Sequence, residues 1–384
     1  MSALRELIAD RIRTSGPISF AEFMELSLYH SELGYYARAA QKTGRAGDFF
    51  TSVDVGPVFG QLLAKQFAEM WRVQTKVQSP KSKVQSPESG VRSPKPEGFD
   101  LVEAGAGNGR LSRDILDAAQ RSDPDFYSAI ALSLVESSPA ARAAQRDTLG
   151  PHAARLKYSD AALPDEIHGV LFANELLDAL PTHAVVMSEN GLREVFVDVD
   201  DGQFVERLRD PSSPRLVEYL SRAGAVMHKG ARVEVNLAAE DWMTRATTAL
   251  RQGFLVLIDY GHDEAELYGG SHATGTLTSF RQHTQFADIL QSPGECDITA
   301  HVDLTAVTRT AVGGGVEVLG RLDQTYFLLG LGIEDLETLS FQQRLAMKTL
   351  LLPGGLGSTH KVLIFGKHVG TPALKGCSYR MRMT

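Results

Sequence analysis

The chain has 384 residues, and 39 Lys and Arg against 47 Asp and Glu give a formal net charge of −8. At roughly 150 residues per domain this length predicts two or three domains, or one core with additions, and a hydrophobic fraction of 43% excludes wholesale disorder. The acidic balance argues against a nucleic-acid-coating protein, and having only two cysteines, Cys296 and Cys377, excludes a disulfide framework or a cysteine-rich zinc module.

The sequence predicts an N-terminal helical cap, residues 1–73. Residues 2–13 form an amphipathic pattern that ends at Gly16. A second helix is predicted from Ser19, with Glu22 completing a capping box, and a third over about 56–72.

The N-terminus also bears on location. It carries two acidic residues and no apolar h-region, so it fits neither a secretory signal nor an acid-poor transit peptide. No stretch reaches the roughly 18 apolar residues that a membrane span needs. We therefore expect a soluble, cytoplasmic protein with no stable membrane insertion.

Residues 74–97 have a different composition. The unit V-Q-S-P occurs at Val77 and Val84, and V-R-S-P at Val91, a seven-residue period that ends in proline each time. Pro, Ser and Lys bury too little apolar surface to offset the entropy of ordering. We interpret this tract as a disordered insertion without chemistry of its own.

From Phe99 short strands alternate with helices, which predicts a parallel sheet covered on both faces. The stretch 184–209 switches to β alternation with turn signals, which predicts an inserted β-meander. FLVLIDY is the next buried strand, and VEVLGRLDQ and HKVLIFGKH form a last strand pair. This core runs over 98–370, and 371–384 is left as a tail.

The strongest local motif is LVEAGAGNGRL, in which Gly105, Gly107 and Gly109 lie between a strand and a helix. Glycines allow a tight turn and close approach of a ligand to the free N–H groups of the following helix. Dinucleotide binding requires a third glycine where Arg110 stands, and this disfavours an NAD-dependent oxidoreductase. The remaining pattern, with Glu103 two residues before the first glycine, is typical of class I S-adenosylmethionine-dependent methyltransferases.

Polar side chains follow the next three strands. Glu136, at the tip of LSLVE, is a candidate for the ribose hydroxyls, and Asp160 for the adenine amino group, although a turn or capping role fits Asp160 nearly as well. Asn174, Glu175 and Asp178 follow the fourth strand, where donor and acceptor would meet. The alternative for the last two is a solvated first helical turn.

The chain resembles the MidA-like class I methyltransferases, which include the mitochondrial complex I assembly methyltransferase. The matching segments run in order along nearly the whole chain and include LYHSELGYYARAAQKTGRAGDFFTSVDVGPVFGQLLAKQ, LVEAGAGNGRLSRDIL, LVESSPAARAAQ, LFANELLDALPTH, LIDYG and PGECDITAHVDLTAV. The resemblance implies an α/β, Rossmann-like fold with a mostly parallel seven-stranded sheet. It also implies S-adenosylmethionine as cofactor and methyl transfer to a protein, an arginine of a complex I-type subunit in the mitochondrial member.

Arginine methylation needs acidic side chains, because a guanidinium is a poor nucleophile with a pKa above about 12. Glu175 and Asp178 suit a role in gripping the guanidinium and taking a proton. Asp259, at the tip of LIDYG, is a third candidate. Asp48 in GDFFTS is a fourth, with Phe49 and Phe50 closing the pocket against water.

Asp297, His301 and Asp303 raise the question of a metal. No second histidine lies near His301 in the sequence, so we predict a structural or channel-lining histidine and no metal. Two alternatives to a protein methyltransferase stay open: an assembly factor that binds the cofactor without turnover or needs a partner for activity, and a small-molecule methyltransferase. The sequence does not predict the oligomeric state.

Overall fold

The computed structural model describes residues 2–39, 52–53, 55–78, 98–281, 284–285, 288–333, 341–352 and 356–379. The helices are α1 (Ala3–Ser15), α2 (Phe20–Tyr29), α3 (Tyr35–Ala39), α4 (Val58–Gln78), α5 (Arg110–Ser122), α6 (Pro124–Ala129), α7 (Pro139–Leu149), α8 (Pro214–Arg222), α9 (Leu237–Ala249), α10 (Glu264–Leu267), α11 (Leu304–Gly313), α12 (Gln324–Gly330), α13 (Phe341–Leu351) and α14 (Leu356–Thr359). The strands are β1 (Ile18–Ser19), β2 (Phe99–Ala104), β3 (Ile130–Val135), β4 (Leu156–Asp160), β5 (Ile167–Asn174), β6 (His183–Ser188), β7 (Gly191–Asp200), β8 (Gln203–Arg209), β9 (Arg232–Val235), β10 (Leu250–His262), β11 (Thr278–Arg281), β12 (Thr284–Gln285), β13 (Asp297–Thr299), β14 (Val302–Asp303), β15 (Glu317–Asp323) and β16 (His360–Lys367).

The central sheet has the strand order β15-β16-β10-β5-β2-β3-β4, and β14 pairs with the end of β10. Neighbouring strands from β4 to β10 are parallel, and β16 runs antiparallel between β10 and β15. This arrangement confirms the predicted α/β fold class with its mostly parallel seven-stranded sheet. The carboxyl ends of β2, β3, β5 and β10 therefore meet at one edge, where open α/β sheets bind ligands.

Both faces of the sheet are buried because successive side chains of a strand point to opposite sides. On β5, Phe172 packs into one apolar cluster together with Phe67 of α4, and their ring centroids are 4.9 Å apart. The adjacent Leu171 packs into the other cluster together with Met243 of α9 and Val307 of α11. Helices thus cover the two faces and hold the strand ends in fixed positions.

A second, antiparallel sheet carries the N-terminal helices. It contains the predicted β-meander, β6 to β8, together with β9 and the short β1, whose Ile18 pairs with Val197. Helix α1 packs Ile8 and Ile12 into the same apolar cluster and ends at Gly16, as predicted. The Ser19 hydroxyl caps α2 by accepting a hydrogen bond from the Glu22 backbone N–H at 3.2 Å.

Two boundaries differ from the prediction. Helix α4 continues to Gln78, past the predicted end at about 72 and into the stretch assigned to the insertion. Within this extension Gln74 is buried, with 2% of its surface exposed. The first proline of the 74–97 stretch is Pro80, two residues beyond the helix end. The rest of that stretch, 79–97, lies outside the described residues. The stretch assigned to the tail is described to residue 379. It packs Leu374 into the core, and the Gly376 N–H donates to Gln66 Oε1 of α4 at 3.0 Å.

Candidate active site

The three predicted glycines form the loop between β2 and α5. Gly105, Gly107 and Gly109 have φ of 70°, 51° and 85°, in the left-handed region that favours glycine. The N–H groups of Gly105 and Ala106 both donate to the carbonyl of Val135, at 3.0 and 3.1 Å, and tie the loop to the end of β3. A Cβ added at Gly107 would meet no atom within 4 Å, so the loop borders open space at its centre.

Glu136 lies directly beside this loop. Its Oε2 accepts a hydrogen bond from the Gly107 N–H at 2.8 Å, and its Oε1 accepts one from the Ser138 N–H at 2.8 Å. Oε1 also accepts a hydrogen bond from the Ser137 hydroxyl at 3.3 Å, whereas Oε2 has a further lone pair with which it can accept a second hydrogen bond. The structure therefore places Glu136 at the strand tip with acceptor capacity to spare, as a ribose-binding role requires.

Asp160 is the last residue of the neighbouring strand β4 and is exposed. Its Oδ1 accepts a hydrogen bond from the next backbone N–H, that of Ala161, at 2.6 Å. Its carbonyl accepts a hydrogen bond from the Glu136 N–H at 2.8 Å, so the two predicted residues are adjacent. The turn role that the sequence left as an alternative is thus present, and the second carboxylate oxygen remains for a ligand.

Glu103 points below the loop instead of into the open space. It is buried, and its Oε2 accepts a hydrogen bond from the Ser112 hydroxyl of α5. Burial raises its pKa to about 8, and the Ser112 hydrogen bond opposes that rise. Glu103 thus braces β2 against α5, which fixes the angle at which the glycine loop leaves the strand.

Asn174 and Glu175 follow β5 on the other side of the loop. Glu175 has φ of 52°, which is strained for a residue with a side chain and typical of functional positions. Its Oε1 accepts hydrogen bonds from the Ser52 N–H at 3.0 Å and from Asn174 Nδ2 at 3.1 Å, and lies 3.6 Å from His360 Nε2. The Asn174 side-chain oxygen is buried and has no hydrogen-bond partner in the described part of the chain.

Asp178 is 4% exposed, and its Oδ1 has no hydrogen-bond partner among the described residues. Burial raises its pKa to about 6; a hydrogen bond with Tyr260 and the charge of His360 oppose the rise, and Glu175 adds to it. A buried acceptor without a donor costs about 1–3 kcal/mol. Asp178 Oδ1 therefore has capacity to accept a hydrogen bond.

Asp259 has a different position from the one expected of a group that contacts the acceptor. Its Oδ2 accepts hydrogen bonds from the N–H groups of Leu176 and Leu177, at 3.1 and 2.8 Å. Burial and the neighbouring Asp178 raise its pKa well above the usual range. Asp259 holds the turn that carries Glu175 and Asp178, and we assign it as a positioning residue.

Two tyrosines of the N-terminal cap cover the site, and sequence reasoning did not single them out. The Tyr29 hydroxyl donates to the carbonyl of Ala179 at 3.0 Å, Tyr36 donates to Asp297 Oδ1 at 3.1 Å, and the ring centroids are 5.3 Å apart. Burial raises the pKa of Tyr29, and the charges of Asp178, Asp297 and Glu136 raise it further. The Tyr29 ring therefore lies near these three carboxylates. Asp48, Phe49 and Phe50 lie outside the described residues.

The residues considered for a metal do not converge as a set. Asp303 caps α11 through the Ala306 N–H and accepts hydrogen bonds from the hydroxyls of Tyr219 and Tyr268. His301 lies instead beside His262 and His272, 39 and 29 residues away in the sequence. The expectation of no metal rested on the lack of a nearby histidine, and the fold supplies two.

Curated relatives and a solved structure resemble the chain over most of its length. "Protein arginine methyltransferase NDUFAF7, mitochondrial" of Danio rerio is 30% identical over 363 residues, which cover 85% of this chain and 76% of the relative. Its counterpart in Homo sapiens is 29% identical and covers 84% and 72%. A "likely methyl transferase from Burkholderia thailandensis bound to S-adenosyl-homocysteine" superposes with a TM-score of 0.85 at 30% identity, covering 99% and 96% of the two chains.

These relatives correct the predicted cytoplasmic location, because those of Danio rerio and Homo sapiens are both named as mitochondrial proteins. The prediction relied on the character of the first residues. In the structure these residues form α1, whose Leu4, Ile8 and Ile12 pack into the core, so their composition reflects the packing of this helix. Within the described ranges, no helix is both long and apolar enough to span a membrane.

A family model described as "Putative S-adenosyl-L-methionine-dependent methyltransferase" matches residues 62–322. This range includes the glycine loop, the pair Glu136 and Asp160, and the pair Glu175 and Asp178. The site fits that cofactor: the open space at Gly107, the spare acceptor capacity of Glu136 and the unpartnered oxygen of Asn174 all border the ends of β2, β3 and β5. The chain belongs to this family and is an S-adenosylmethionine-dependent methyltransferase.

Proposed function

We propose that this methyltransferase modifies an arginine side chain of a protein, and that its acceptor is a subunit of a complex I-type respiratory enzyme. The observation that carries the proposal is the buried pair Glu175 and Asp178 beside the glycine loop, with Asp178 Oδ1 unpartnered. A guanidinium offers five N–H donors in a planar fork that matches carboxylate oxygens. The names of the relatives support the arginine and the protein acceptor.

The donor half of the proposed site consists of residues at four strand ends, those of β2, β3, β4 and β5. We assign the ribose hydroxyls to Glu136, the adenine amino group to Asp160, and the amino-acid end to Asn174 and the backbone of the loop from Gly105 to Gly109. When bound, S-adenosylmethionine supplies an electrophilic methyl group on its sulfonium. Most of the rate gain then comes from holding the acceptor nitrogen in line with it.

The acceptor half must bind a cation and remove a proton. Glu175 is held by Ser52 and Asn174, so its carboxylate has a fixed orientation. A guanidinium nitrogen that gains a methyl group loses one proton, and we assign that proton to Asp178, whose pKa of about 6 suits a base near neutral pH. The buried rings of Tyr29 and Tyr36 lie near Asp178, and Tyr29 donates to the carbonyl of the adjacent Ala179. Apolar ring surface at this point would exclude water from the ion pair and strengthen it.

The test is transfer of label from methyl-tritiated S-adenosylmethionine to solubilised respiratory membranes. We expect wild-type protein to label one protein band, with mass spectrometry placing the modification on a complex I-type subunit. Label recovered only in the small-molecule extract would instead support the small-molecule methyltransferase. Label in an unrelated protein would support protein methylation but contradict the proposed respiratory acceptor.

The pH dependence of the reaction follows from Asp178. A carboxyl group with a pKa of about 6 is roughly 10% ionised at pH 5 and roughly 90% ionised at pH 7. Because the guanidinium stays charged throughout this range, we expect kcat/KM for the acceptor to rise about tenfold between these pH values. Initial rates at subsaturating acceptor measure this, and a flat profile between pH 5 and pH 7 would contradict the assignment.

The raised pKa of Asp178 makes stability depend on pH in the direction opposite to activity. The pKa of Asp178 is raised in the folded state, so its contribution to the free energy of unfolding is greatest at low pH and declines as the pH rises through about 6. This contribution falls between pH 3.8, the usual pKa of the group, and about 6, and activity rises around pH 6, so the two change in opposite directions as the pH rises. A loss of activity at pH 5 is thus distinguishable from acid unfolding.

A further inference from the structure

Three histidines that are distant in the sequence converge beside the active site. His262 ends β10, His272 follows α10, and His301 lies between β13 and β14. Parallel pairing of β10 with β14, with Gly261 opposite Val302, brings His301 next to His262. The ring centroids are 4.9 Å apart for His262 and His301, 5.0 Å for His262 and His272, and 5.8 Å for His272 and His301.

Two nitrogens of this histidine cluster have no competing hydrogen-bond partner in the part of the chain that the structure describes. His272 Nε2 and His301 Nδ1 are buried, and neither has a hydrogen-bond partner among the described residues. One potential ligand nitrogen from each histidine lies within 4.8 Å of the other two. Buried nitrogens without partners destabilise the folded state, and a shared ligand would remove that cost.

The surroundings hold the rings in place. Nδ1 of His262 lies 2.9 Å from Glu266 Oε1, which leaves Nε2 of His262 for a ligand. A carboxylate on the far nitrogen of a histidine is the usual partner that orients an imidazole toward a metal. The backbone N–H of His301 donates to Thr276 Oγ1 at 3.1 Å, and the His301 ring packs edge-on against Tyr260 at 5.6 Å.

We propose that His262, His272 and His301 bind one divalent transition-metal ion of the zinc type. Three neutral imidazoles match the ligand sets that such ions prefer, and a fourth position would face the pocket lined by Glu234, Tyr268 and Thr276. Zinc–nitrogen bonds of about 2.0–2.1 Å imply nitrogens roughly 3.4 Å apart in a tetrahedral site. The cluster reaches that spacing by closing from at most 4.8 Å, which side-chain rotations can supply.

Such an ion would link the acceptor side of the site to its supporting segments. It would tie the end of β10 to the stretch around His272 and to the loop before β14. Tyr260 packs between His301 and His360, with centroids 5.6 Å from each, and His360 lies against Glu175. The ion would therefore fix the ring that interacts with Asp178.

The test is titration of chelator-treated, untagged, full-length protein with Co²⁺, whose visible absorption reports tetrahedral coordination, followed by competition with Zn²⁺. We expect one equivalent to bind, and His272→Ala and His301→Ala each to weaken binding at least about 100-fold. Glu266→Gln, which removes only the orienting charge, should weaken it about 10- to 100-fold. His228→Ala, an exposed histidine outside the cluster, should leave binding unchanged.

Thermal unfolding gives a second readout that needs no activity. Zn²⁺ should raise the unfolding midpoint of the wild type and of His228→Ala but not that of His301→Ala, because only ions bound to the native state stabilise it. Failure of the wild type to bind Co²⁺ or Zn²⁺ saturably would overturn the proposal. So would binding that His272→Ala and His301→Ala leave intact. Neither result depends on methyl transfer, so the proposed function is tested separately.

Discussion

Asp178→Asn is expected to lower kcat for methyl transfer by about 100- to 1,000-fold, the range for removal of a general base or of one electrostatic contact in a closed site. The substitution keeps the shape of the side chain. It removes the negative charge that would face the guanidinium and the oxygen that would take the proton. We expect the affinity for S-adenosylmethionine to stay within about threefold, because the residues assigned to the donor lie at the ends of β2, β3 and β4, and Asn174 is unchanged.

Stability provides the control for this variant. An amide at position 178 avoids a buried charge, so the unfolding midpoint at pH 7 should be no lower than that of the wild type. Asp125→Asn changes an exposed aspartate on α6 and should leave both rate and binding unchanged. Retention of more than about a fifth of the wild-type kcat in Asp178→Asn would remove Asp178 from the proposed chemistry.

Glu136→Ala is expected to weaken S-adenosylmethionine binding by about 100-fold, or about 2.7 kcal/mol. Hydrogen bonds to a charged group contribute about 1.5–3 kcal/mol each. The substitution also leaves the N–H groups of Gly107 and Ser138 without their acceptor, which loosens the loop that borders the site. Calorimetric titration of the purified protein with S-adenosylmethionine measures the change.

Two variants test whether the loss of affinity is specific to the Glu136 carboxylate. Glu136→Gln keeps one acceptor oxygen and should lose only about tenfold in affinity, because the charge is gone but the shape remains. Glu317→Ala removes an exposed acid on β15 and should bind as the wild type does. Unchanged affinity in Glu136→Ala would mean that the donor does not use the tip of β3.

The donor half of the site was predictable because its signals are local. The glycines and Glu136 each directly follow a short apolar strand, and the parallel sheet brings those strand ends to one edge. The acceptor half depends on contacts between distant residues. Tyr29 reaches Ala179 across 150 positions, and Ser52 reaches Glu175 across 123, so no periodicity in the sequence marks these pairs.

The histidine cluster shows the same limit. The spacings between His262, His272 and His301 are 10 and 29 residues, which match no local ligand pattern. Their convergence depends on the pairing of β10 with the two-residue strand β14, an element too short to show a pattern of its own. Asp259 was predicted at a strand tip, but β10 continues to His262, and backbone N–H groups donate to both carboxylate oxygens of Asp259.

The boundary of α4 was missed for a compositional reason. The V-Q-S-P repeat begins at Val77, so the sequence placed the whole of 74–97 in one low-complexity tract. Residues 73–78 contain no glycine or proline, and a helix that is already packed continues through them until a breaker intervenes. Composition averaged over a tract therefore conceals a helix end within it.

The most direct test of the account is the chemical identity of the methylated residue. The protein labelled with methyl-tritiated S-adenosylmethionine would be hydrolysed completely to amino acids, and the label located by chromatography against methylarginine, methyllysine and methylhistidine standards. The account predicts label in methylarginine with the wild-type protein and with Asp125→Asn, reduced about 100-fold or more with Asp178→Asn. Label in any other amino acid, or equal labelling of arginine by Asp178→Asn, would contradict it.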